Sequence, residues 1–85
     1  MKFIEIEEVW EVNPSRVMAN RPPSSESEHK VWAVYCGKGV RDHQTEVQAE
    51  LSFLVQETEL LEEQVREVLN CWANVGIARM AEPPA

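Results

Sequence analysis

The stretch from Thr58 to Trp72 constrains this chain more than any other, because it reads as one amphipathic helix. At about 100° per residue, Leu60, Leu61, Val65, Val68, Leu69, Cys71 and Trp72 fall on one side. Glu59, Glu62, Glu63, Arg66, Glu67 and Asn70 fall on the other. Thr58 is placed to cap the first turn by accepting a bond from a free backbone N–H. The glutamates next to it sit near the positive end of the helix dipole, where carboxylates are favoured. The apolar arc spans about half the circumference, wider than the ~100° stripe one contact needs. The helix is therefore expected to pack on a sheet and on a second partner.

Eighty-five residues allow one domain and a small core, so stability is marginal or shared with a partner. The net charge of −7 is unevenly spread. Arg16, Arg21, Lys30, Lys38 and Arg41 outweigh Glu26 and Glu28 in the middle of the chain, whereas residues 42–67 hold eight acids against Arg66 alone. Such polarity steers partners more than it shapes a fold. No apolar run follows a basic start and none approaches membrane-spanning length, so a cytoplasmic protein with Cys36 and Cys71 as free thiols is expected.

In chain order, Lys2 to Val12 alternates, with Ile4, Ile6, Trp10 and Val12 on one face, and predicts a half-buried strand. Asn13-Pro14 breaks it, and Arg16 to Asn20 reads as a short return strand. Residues 21–28 are a mobile Pro/Ser loop by composition. Lys30 to Cys36 is apolar at both parities, as a central strand would be, and Gly37-Lys38-Gly39 reads as a turn. Gln44 to Gln56 fits two patterns. Val47, Ala49, Leu51, Phe53 and Val55 alternate strictly, while Val47, Leu51, Leu54 and Val55 keep helical spacing; the strand is preferred. Gly76 is a helix stop, Ile77 to Met80 packs back, and 81–85 is a frayed tail beyond the 1–80 domain. Together these readings give an α+β fold, an antiparallel meander of about four strands covered by one C-terminal helix.

Asn13, Pro14 and Val17, then Gly37, then Val55, Glu57 and Thr58 running into Glu62 and Glu63, resemble the pattern of small bacterial flagellar and swarming-motility proteins. The likeness spans residues 11–69, from which the Pro/Ser loop and the acidic arm at 40–50 depart. It implies a meander-plus-helix fold and a non-enzymatic role, and carries over no binding residue.

Catalytic and metal chemistry find little footing. Cys36, Cys71, His29 and His43 lack the close pairing of structural zinc ligands, and Asp42-His43 beside Cys36 is expected to face solvent, so no catalytic residue, metal or cofactor is assigned. The leading expectation is a small acidic non-enzymatic protein-binding module, self-associating as a homodimer. It would use Glu59, Glu62, Glu63 and Glu67, with Trp32 and Trp72, on a protein target. Such an acidic face could occupy a basic groove by imitating nucleic acid, in analogy with small phage-type inhibitors. The dimer is expected because the helix arc, the two-faced strand 31–36 and Trp10, Trp32 and Trp72 exceed what one small core hides. An alternative is capture of a small anionic ligand or nucleotide by Gly37, Lys38, Gly39 and Arg41, where glycine N–H groups and two cations would meet. A third is a helix-turn-helix regulator. If 44–56 is helical, Glu50 to Met80 scans as that motif with Leu61 to Ala73 as its second helix. Its acidity opposes phosphate, so neither nucleic acid nor membrane is expected as a partner.

Overall fold

The structure, a computed structural model, describes residues 8–81. Its elements run β1 (Val9–Val12), α1 (Pro14–Asn20), α2 (Glu26–Asp42), β2 (Val47–Glu50), α3 (Leu51–Thr58), α4 (Glu62–Asn74) and β3 (Ala78–Ala81). The α+β class stands, but the meander of about four strands under one C-terminal helix does not. Four helices pack with a three-stranded antiparallel sheet in the order β2-β1-β3.

The first strand is the central one. Trp10 lies between Ala49 and Met80, and Val12 between Val47 and Ala78, and all of these except the exposed Met80 are buried toward the helices. On the opposite face Glu11 lies between Gln48 and Arg79, and its carboxylate accepts a bond of 3.0 Å from each. Alternation from 9 to 12 thus sorts the two faces as expected; residues 2–7 of that strand lie outside the described residues.

Asn13-Pro14 does end β1, but the next element is a helix. Asn13 Oδ1 accepts the N–H groups of Ser15 and Arg16, and Pro14 sits where a helix needs no N–H. The expected return strand at 16–20 is therefore α1. The expected loop shortens to 21–25, because Ser25 caps α2 by accepting the Glu28 N–H.

Residues 30–39 depart furthest from the expected fold. The expected central strand and Gly-Lys-Gly turn both lie inside α2. Burial there follows Glu28, Val31, Tyr35 and Gly39, a helical spacing, while Ala33 is exposed and Trp32 and Val34 half-buried. Apolar residues at every position satisfy both periodicities, so that run could not choose between them. Tertiary bonds fix the outcome: Tyr35 Oη donates to the Trp10 carbonyl at 2.8 Å, and Trp32 Nε1 to the Pro14 carbonyl at 3.0 Å.

The ambiguous stretch at 44–56 is both things in succession. Val47 and Ala49 are buried in β2, and then Leu51, Leu54 and Thr58 are buried at helical spacing in α3. The single helix expected from Thr58 starts at Glu62 instead, and Thr58 closes α3 rather than capping α4. Gly76, at φ 77°, ends the α4 region as expected, and the returning segment is β3, which includes Ala81. Residues 82–85 of the expected tail lie outside the described residues.

The apolar surplus behind the expected dimer shrinks in this arrangement. Trp10 and Trp72 are buried in the core, Trp32 is half-buried, and the stretch 31–36 is a helix with one buried face. No helix among the described residues is long and apolar enough to cross a membrane.

Candidate functional site

Helices α3 and α4 meet at a corner built by Thr58. Its Oγ1 donates to the Leu54 carbonyl at 2.5 Å and accepts the Leu60 N–H at 3.3 Å, so one buried hydroxyl ends α3 and turns the chain. Glu59 takes a left-handed conformation, φ 59°, and its N–H still reaches the Val55 carbonyl at 2.9 Å. Gln64 Oε1 then accepts the Leu61 N–H, satisfying a free donor at the start of α4. Two helices joined by three residues, with α2 touching both, have the connectivity of a helix-turn-helix unit.

Val65, Val68, Leu69 and Trp72 anchor α4 in the core, which leaves Glu62, Glu63, Glu67, Asn70 and Asn74 facing outward. Leu61 is exposed with them, at 69%. Leu61, expected in the apolar arc, is instead a surface residue. The signal lay in its position, ahead of the first turn, where i, i+4 spacing no longer applies. Arg66, the cation of this helix, bonds Glu8 and also Glu62, and those bonds, Glu8 first, raise it above the ordinary guanidinium value.

Of the predicted protein-binding residues, Glu59, Glu62, Glu63 and Glu67 therefore come together as exposed side chains on the turn and α4. Trp32 and Trp72 do not join them. Trp72 is wholly buried and so is a core residue, and Trp32 stacks on His29 at 5.7 Å beneath α1. The anion site loses its turn. Around Gly37, Lys38, Gly39 and Arg41 the backbone N–H groups are engaged in α2, Gly39 is buried, and Lys38 pairs with Asp42 at 3.3 Å.

Two further concavities carry polar groups. A pocket of about 280 Å³ gathers Glu11, Asn13, Arg16, Glu46 and Arg79. Hydrogen bonds from Gln48 and then Arg79 hold Glu11 below the usual carboxylate range, so Glu11 and Arg79 are occupied with one another. An open groove of about 470 Å³ brings Cys36 and His43 together with Pro14 and Val40. Burial pushes the Cys36 thiol up, opposite to what a nucleophilic thiolate needs. Among the described residues no group of three or more acid, His or Cys side chains is placed to hold a metal ion.

Comparison with protein families, with curated proteins and with solved structures finds no match to this chain.

Proposed function

We infer that this chain is a non-enzymatic protein-binding module on a helix-turn-helix scaffold, docking through the turn and the outward side of α4. The observation that carries this reading is the composition of that side. Leu61, Glu62, Glu63 and Glu67 stand where a DNA reader presents its base-contacting residues, and Arg66 is taken up by Glu8 and Glu62. A phosphate backbone is bound by Lys and Arg, which this side does not offer. An exposed leucine rimmed by carboxylates instead has the make-up of a protein interface, an apolar anchor in a polar surround. The complementary surface is basic with an apolar recess, which is also the kind of surface that a nucleic-acid mimic occupies.

The test has two arms. Fluorescence anisotropy with random duplex DNA at low salt is expected to show no binding even at ~100 µM, where non-specific readers bind. Capture of a host protein on the immobilised chain is expected to weaken with salt and to be lost in Leu61→Ala/Glu63→Lys/Glu67→Lys. Capture indifferent to that triple variant would overturn the reading. The second reading, a regulator that reads DNA, is favoured by the three-residue connection and by the strand after α4. Salt-sensitive DNA binding in the first arm would establish it instead.

A further inference from the structure

We propose that the groove between α2 and the end of α3 receives a basic amphipathic helix of a protein partner. The proposal rests on the protein-binding reading and adds a second contact surface to it. The groove measures about 390 Å³ and is lined by Lys30, Ala33 and Val34 of α2 and by Glu57, Thr58 and Glu59. Lys30, Ala33 and Val34 are spaced i, i+3, i+4 and so form one strip of α2. Gly37 continues that strip one turn on, and a Cβ built there meets nothing within 4 Å. The floor is thus a run of small and aliphatic side chains with open space above it, where another helix can approach closely.

Charge selects what lies there. Glu57 and Glu59 are exposed and form no ion pair among the described residues. The nearby cations are already engaged, Lys30 with Glu26 at 3.4 Å and Lys38 with Asp42 at 3.3 Å. A segment with aliphatic residues for Ala33 and Val34 and Lys or Arg for the two carboxylates complements both features. An amphipathic helix supplies that pattern at i, i+3, i+4 spacing. An acidic segment or a nucleic-acid strand would set its charge against Glu57 and Glu59 instead.

The probe is a helix-forming peptide of leucine and lysine, titrated into the isotope-labelled full chain and followed by amide NMR shifts. The largest shifts are expected at Ala33, Val34, Gly37 and from Glu57 to Leu60. Glu57→Lys/Glu59→Lys should weaken binding by about tenfold or more at an unchanged melting temperature. Ala33→Arg, which fills the floor, should weaken it independently, and the same peptide with glutamate for lysine should cause no shift. Shifts centred on Glu63, Glu67 and Asn70, or unchanged affinity in both groove variants, would overturn the groove while leaving the α4 reading intact. Absence of any shift would also overturn it, since the α4 reading is judged separately by the triple variant.

Discussion

Helices α2 and α4 pack against each other, yet the sequence specifies them in opposite ways. Helix α4 is written locally. Its Glu, Gln, Leu and Arg residues favour a helix, its acids lie in the first turn, and its buried side chains follow one stripe. Helix α2 is longer and locally unpromising, with two glycines, several β-branched and aromatic residues and no clear apolar stripe. It is held by what it touches: the Trp10 and Pro14 carbonyls, and β2 lying close over Gly39. A helix with little propensity of its own forms where neighbouring elements supply its partners.

Substitutions can break or sharpen that contrast. Trp72→Ala removes the largest fully buried side chain, and its loss is expected to cost about 3–5 kcal/mol, enough to unfold a domain this small. Circular dichroism should show both helices lost together; survival of α2 alone would contradict its dependence on α4 and the sheet. Gly39→Ala comes next. Its Cβ would lie 2.9 Å from Val47 Cγ2 and 3.0 Å from the Gln44 carbonyl oxygen, so a denaturant melt should show about 1–3 kcal/mol of destabilisation although alanine favours helices. Tyr35→Phe keeps the ring and leaves the Trp10 carbonyl without its buried donor, a loss of about 1–2 kcal/mol by the same measurement. Gly37→Ala, two residues from Gly39, should stabilise by about 0.5–1 kcal/mol, because its Cβ meets nothing and propensity alone acts. Opposite signs at 37 and 39 would show that tertiary approach, not helix propensity, sets what α2 tolerates. Equal effects would erase the distinction.

The same contrast explains which elements the sequence makes legible. Trp10, Val12, the Asn13-Pro14 break, the Gly76 stop and the buried side of α4 are legible because each rests on a local rule. The run from Lys30 to Cys36 is not, since uniformly apolar residues carry no period. One signal there was available: Ser25 followed three residues later by Glu28 marks a helix start. Here Glu28 turns to the Ser24 N–H and hydroxyl, a variant of that motif. Val47 to Thr58 conceals two elements because its alternation and its helical spacing share Val47, Leu51 and Val55, and strand passes into helix at Leu51. The acidic residues of the candidate site can be named from sequence, since exposure of glutamate is the default. Leu61 and the groove floor at Ala33 and Val34 require knowing where two helices begin and meet.

The place of β1 between β2 and β3 has a consequence for how the molecule is made. Val9 stands opposite Glu50 on one side and Ala81 on the other, so the first described strand finds its second neighbour only in the last described one. During synthesis from the N-terminus, α1 to α4 leave the ribosome while one edge of β1 is still unpaired. Closing the sheet joins positions separated by nearly the whole described chain, a contact that comes late and slowly. Until then that edge is open to strands of other nascent chains. Completion of the sheet therefore waits until Ala78–Ala81 can reach β1.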